Sequence, residues 1–386
     1  MGFAETVRMG IAPQARAEAL PAKAHVCFVA PLAWPVLARD ARIELAGGAE
    51  VQQCILARLL AAHGHRVSMI TLDFGQPEGA RVDGVTVHKA FARGAGVPLL
   101  RFLHPKLTRM WAALRRADAQ IYYVRSASMW LGVVAAFCRR HARRLVYAGA
   151  SDRDFVPGAG GQLRYARDRW LYRRGLAAAD AVVAQNEFQR ASCLGTYGRE
   201  AELIPSCYEI PYRKNTYQIK NLVLWVGMLH ENKRPQLFLE IAARAPHRRF
   251  VLIGGPRPGA QPFYERIRAQ AARVPNLELT GFLPLADVEP WFDRARVLVN
   301  TSEYEGMPNT FLQAWARGVP TVATVDVGPT TVFTDPGEAV SGIEPLFTDH
   351  SLWRAKSAAC RAWFEKHHSP ASVLAQYERL FEELGA

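Results

Sequence analysis

Short apolar runs alternate with longer helical periods along this chain, and the alternation happens twice. Residues 25–30, 66–72, 120–125, 144–148, 181–185 and 202–205 read as buried strands, with helical spacing over Glu50–His63 and Val97–Arg116 between them. A second series follows, with strands at 222–227, 249–254, 276–280, 296–300 and 319–323. Its helices are expected at Arg234–Ala245, Gln261–Arg273, Ala286–Arg294 and Asn309–Arg317. Nearly continuous apolar strands separated by helices favour parallel sheets covered on both faces, since alternating polarity would mark a half-solvated sheet. The expected fold is therefore α/β, with two Rossmann-like doubly wound halves. In open sheets of this kind ligands sit beyond the carboxyl ends of the strands, so both halves should present their loops to a shared cleft.

The expected division is an N-terminal extension over 1–23, probed by no apolar period; a first domain over 24–205; a polar, proline-containing hinge over 206–220; a second domain over 221–366; and a last segment, 367–386, whose helix Pro370–Leu384 packs back on the first domain. No run reaches the roughly 18 apolar residues of a membrane-spanning helix. The first 23 residues lack the apolar core of a secretory signal. Cys27, Cys54, Cys138, Cys193, Cys207 and Cys360 are scattered without metal spacing and read as reduced packing residues of a cytoplasmic protein.

Charge is unevenly shared. Residues 1–205 carry 28 Lys and Arg against 16 Asp and Glu, and residues 206–386 carry 20 against 19, so nearly all of the net +13 lies in the first half. That half is expected to face something anionic. Val97–Arg116 places Leu100, Leu103, Leu107, Met110, Trp111 and Leu114 near one face, with Pro105 starting or kinking the helix. This stripe either faces the core or lies on an anionic membrane, with Arg139–Arg144 and Arg164–Arg174 extending the basic face. No nucleic-acid-binding motif accompanies the charge, so no nucleic-acid partner is expected.

The segment richest in chemistry is Asn300–Pro320, NTSEYEGMPNTFLQAWARGVP. It leaves a strand, turns at Glu305–Gly306 and enters a helix, with Asn309 as N-cap or Pro308 in the first helical turn. A helix start at the end of a parallel strand suits a phosphate, and Gly306 permits close approach. Together with LVLWVGMLHENKRP (Leu222–Pro235), Gly47-Gly48-Ala49-Glu50, Leu203-Ile204-Pro205 and NLELTGF (Asn276–Phe282), this segment resembles the family 4 retaining glycosyltransferases, which have the GT-B fold. The resemblance runs from about Ala24 to the C-terminus.

It implies a hexosyltransferase using a nucleoside-diphosphate sugar donor and a lipid-linked or polysaccharide acceptor, with neither cofactor nor metal. Glu305 matches the first glutamate of the E-x7-E motif and is expected to hold sugar hydroxyls. Gln313 stands where the second glutamate meets the ribose, marking a glutamine-bearing subfamily. Lys233 matches the lysine that contacts the diphosphate, whereas Met228 replaces the usual arginine, leaving Arg234 or Arg257 to compensate. The resemblance also places Gly48, Gly227, Met228, Gly254 and Phe282 at the donor, along with Gly306, Met307, Pro308, Asn309 and Thr310; for Gly47-Gly48 the acceptor and a plain loop end stay open as alternatives. In YAGASDRDF (Tyr147–Phe155), Asp152 is the first candidate for a sugar or acceptor contact and Asp154 the second, both alternatively solvated loop carboxylates. Their D-x-D spacing matches metal-dependent transferases, but the two-lobe pattern does not. A nucleotide-sugar epimerase and a non-catalytic nucleotide-binding homologue are the rival readings. The expected location is cytoplasmic, peripheral at the inner face of the cell membrane.

Overall fold

The computed structural model describes residues 23–40, 47–96, 102–156, 163–210, 220–257 and 259–385. The expected N-terminal extension, apart from Lys23, and most of the hinge lie outside these residues. The first half builds one eight-stranded sheet: β1 (His25–Val29), β2 (Arg66–Asp73), β3 (Ala80–Val82), β4 (Val85–Ala92), β5 (Ile121–Arg125), β6 (Arg144–Ala148), β7 (Ala181–Ala184) and β8 (Glu202–Leu203). Their order is β3-β4-β2-β1-β5-β6-β7-β8, and every pairing except β3 with β4 is parallel. The second half builds a six-stranded parallel sheet from β9 (Leu222–Val226), β10 (Arg249–Ile253), β11 (Leu277–Gly281), β12 (Ala295–Asn300), β13 (Thr321–Ala323) and β14 (Thr331–Val332). Its order, β11-β10-β9-β12-β13-β14, reverses direction beside β9, as in a doubly wound sheet. The architecture is GT-B.

Central strands are apolar on both faces because helices cover both. Val26, Phe28 and Tyr123 face one layer, while Cys27, Val29 and Tyr122 face the other, all buried. The helix Pro370–Glu383 sends Val373, Leu374, Tyr377, Leu380 and Phe381 into the first-half core, although the preceding helix His350–His367 packs Cys360 and Phe364 into the second. The last segment thus ties the two halves together.

The structure corrects the extent of one expected helix and selects the core-facing reading of its apolar stripe. Of the helix expected over Val97–Arg116, residues 97–101 lie outside the described residues; the rest is a regular α-helix only from Thr108, because His104, ahead of Pro105, is extended (φ −135°, ψ 129°). Its apolar side is in the core: Met110, Ala113, Leu114 and Ala117 are buried, and Trp111 packs against the same cluster. Among the described residues no helix is long and apolar enough to cross a membrane.

Candidate active site

A cavity of about 470 Å³ opens between the carboxyl ends of the two sheets, within the usual 300–1,000 Å³ of ligand pockets. Gly48, Gly227, Met228, Lys233, Gly254 and Phe282 line it, as do Glu305, Gly306, Met307, Pro308, Asn309, Thr310 and Gln313.

Lys233 ends a short turn, Glu231–Lys233, that follows β9. Thr301 Oγ1 donates to the Lys233 carbonyl (2.6 Å), and Trp225 Nε1 donates to the same hydroxyl (2.9 Å), so the turn is pinned to the end of β12. Arg234 adopts a left-handed backbone (φ 42°) and donates to the carbonyls of Thr301 (2.8 Å) and Ser302 (3.2 Å). Its guanidinium is thus held against the backbone at the end of β12, and Arg234 is not among the residues that line the cavity. Arg257 is exposed and acts on His230, whose pKa falls to about 4 through burial first, then Lys233 and Arg257. His230 is neutral at pH 7 in the cleft wall. The Lys233 ammonium pairs with Glu305 Oε1, which also accepts from Ser302 Oγ (2.6 Å).

The glycines earn their places by close approach. A Cβ on Gly254 would sit on the Gly227 carbonyl, and a Cβ on Gly306 would meet Gln189 Nε2 at 2.8 Å. Asn309 is the first residue of the helix Asn309–Trp315 and Pro308 is its N-cap, which corrects the expectation that Asn309 caps it. The Asn309 side chain instead crosses the cleft. Its Nδ2 donates to the Gly48 carbonyl (3.1 Å), and its Oδ1 accepts from Gln52 Nε2 (2.9 Å). Gln52 also exchanges hydrogen bonds with the backbone of Cys207 in the linker.

Asp152 does not line the cavity. Its Oδ1 accepts from Gln189 Nε2 (2.9 Å) and Asn186 Nδ2 (3.1 Å), and Asn186 also reaches the Gly306 carbonyl (3.3 Å). Burial raises its pKa, Gln189 and Asn186 oppose that, and Glu305 adds to it. It stands behind the wall where the halves meet. Asp154 is not a loop carboxylate in solvent. It is buried and closes a capping box with Ser151, accepting from the Ala150 amide (2.8 Å), and burial pushes its pKa up to about 6.

Gln313 belongs to a buried polar cluster. Its Nε2 donates to Glu289 Oε1 (2.9 Å), while Glu289 Oε2 accepts from Tyr208 (2.5 Å) and from Arg317 Nη2 (2.6 Å). Glu289 and Tyr208 also line the cavity. A carboxylate only accepts, so it fixes the Gln313 amide with its nitrogen toward Glu289.

Comparison with known proteins decides what this cleft belongs to. Residues 46–209 match the family described as Glycosyltransferase Family 4, and residues 220–349 match Glycosyl transferases group 1. The chain is a family 4-like glycosyltransferase. The fold of this transferase is also that of sucrose-phosphate synthase from Thermosynechococcus elongatus (TM-score 0.72, 17% identity, 94% of this chain and 99% of that one). It is similar as well to HepE of Anabaena, solved with UDP and glucose (TM-score 0.67, 16% identity, 93% and 100%). The Vi polysaccharide biosynthesis protein VipC/TviE of Salmonella typhi is 28% identical over 149 residues, which are 34% of this chain and 24% of that protein. The transferase thus aligns with about a quarter of the length of that relative.

Sequence reasoning missed Arg125, Tyr208 and Glu289 as lining residues. Arg125 carried a signal: it is the last residue of a buried strand at the cleft end of the sheet. Glu289 sits inside a helix (Leu285–Arg294) with no local mark separating it from a solvated glutamate.

Proposed function

We propose that the enzyme transfers a hexose, with retention of anomeric configuration and without a metal, from a nucleoside-diphosphate sugar to a saccharide acceptor that is lipid-linked or polymeric. The observation that carries this reading is the Lys233 ammonium in the cleft wall beside Glu305, within a wall completed by Gly306–Thr310. In the reaction the anomeric C–O bond to the diphosphate breaks and the acceptor hydroxyl forms a new C–O bond on the same face. The acceptor proton passes to a diphosphate oxygen. Lys233 opposes the charge that gathers on the leaving group, and Glu305 takes sugar hydroxyls. The second half holds the donor and the basic first half the acceptor. HepE, solved with UDP and glucose, supports a nucleotide of this class.

A thermal-shift series of nucleoside diphosphates and their sugars tests the reading. One of them at 100 times its dissociation constant should stabilise the fold by about 2.7 kcal/mol. Indifference to every nucleotide would refute it, and an epimer formed from donor alone would favour the epimerase.

Since the apolar side of Thr108–Ala117 is in the core, peripheral contact with an anionic membrane is proposed for the Arg164–Arg174 segment. The helix Ala166–Ala178 packs on Trp130–His141 and leaves Trp170 57% and Tyr165 53% exposed beside Arg164, Arg173 and Arg174. Such aromatic and basic surfaces suit a bilayer interface. Co-sedimentation with liposomes should require anionic lipid, weaken with salt and fall in Trp170→Ala. Binding indifferent to all three changes would exclude this face.

A further inference from the structure

Most charged side chains at the cleft are paired. Arg58 meets Asp83, Lys233 meets Glu305, and Glu289 meets Arg317. Arg125 differs. It ends β5, lines the cavity and is only 9% exposed, yet it makes no ion pair among the described residues. Its Nη1 donates to Tyr123 Oη (3.3 Å) and its Nη2 to Ser206 Oγ (3.0 Å), both neutral oxygens. The Ser206 proton is already given to Gln185 Oε1 (2.5 Å). Nε is buried with no hydrogen-bond partner among the described residues. Glu50 and Asp154 feel the Arg125 charge as minor influences on their own ionisation, and neither bonds to it.

A buried cation without a counter-ion is costly, and an apolar side chain of similar size is often as stable or more so. Packing alone gives no reason for a guanidinium here. Its place at a cleft wall supplies one, because a planar fork of donors matches the two oxygens of a carboxylate or phosphate.

We infer that Arg125 is an anion-recognition residue, receiving a carboxylate or phosphate group carried by a molecule bound in the cleft. The anion enters from the cavity side and completes a charge that the protein leaves open. Such a group has two sources: a charged saccharide acceptor, or the phosphates of the donor. The inference does not depend on which nucleotide is used.

Melting and titration of the full chain, Arg125→Met and Arg125→Lys at constant ionic strength test it, with UDP, inorganic phosphate, and glucuronate against glucose as probes. Wild type should respond to glucuronate or phosphate beyond glucose and chloride. Arg125→Met should melt no lower than wild type and lose that response at least tenfold, while Arg125→Lys keeps part of it. Loss confined to glucuronate or phosphate, with UDP binding kept, assigns the site to the acceptor; a tenfold loss for UDP assigns it to the donor. If UDP never binds but the anion response still needs Arg125, the donor reading fails and this one stands. A wild type indifferent to all the anions overturns the inference. So does an Arg125→Met protein that binds every probe normally, whatever its melting point, since Arg125 would then only clamp Ser206.

Discussion

Lys233→Ala is expected to lower the transfer rate about 10²–10³-fold, the usual loss when one preorganised group facing the developing charge is removed. The effect should fall on kcat, because the leaving group gathers its extra charge only as the anomeric bond breaks. The replacement also strips Glu305 of its partner, so Glu305 would be held by Ser302 Oγ alone. Circular dichroism and the unfolding midpoint separate that local effect from loss of fold. Single-turnover rates with saturating donor are the deciding measurement. A rate within twofold of wild type would remove Lys233 from the chemistry.

Arg317→Met should cost about 3–5 kcal/mol of stability, the range for breaking a buried ion pair by deleting one partner. The Arg317 side chain is 5% exposed and Glu289 2%, and the guanidinium reaches Asp293 Oδ1 (2.8 Å) and the Gln313 carbonyl (3.0 Å) as well. Left alone, the Glu289 carboxylate keeps only the Tyr208 hydroxyl and the Gln313 amide. Removing its charge should return much of the loss, so Arg317→Met with Glu289→Gln ought to be clearly more stable than the single variant. Urea unfolding of the four members of this cycle supplies the numbers. Strictly additive losses would show that the two groups do not interact as their geometry implies.

The same cluster explains what was legible in the sequence. The resemblance sets a glutamate where this chain has Gln313, and the side chain that Gln313 answers lies 24 positions upstream. A glutamate there would place a second carboxylate against Glu289, at the 2.9 Å where the amide now donates. Local spacing cannot pair residues separated by a helix end and a strand. The two-sheet fold is readable because the central strands are apolar but for one terminal residue each, as β1, β5 and β10 show. The β3–β4 hairpin escaped notice because β3 is a three-residue edge strand and β4 beside it alternates buried and partly exposed residues, although its Asp83-Gly84 turn, with φ 49° and 81°, is a recognisable hairpin sequence. Asparagine suits a cap, and the sequence alone therefore suggests that role for Asn309. Its side chain is instead committed to a partner in the other half, which no local preference reveals.

That commitment sets how the halves can move. Gln52 holds the linker at Cys207 with two bonds and Asn309 with one, so it sits at the pivot and at the latch together. Parting the lobes would sacrifice Gln52–Asn309, Asn309–Gly48 and Asn186–Gly306 while sparing the grip on the linker. Contacts of this type contribute about 0.5–1.5 kcal/mol each. Reopening to release a product of the proposed transfer is therefore within reach of thermal agitation, with the grip on Cys207 kept throughout.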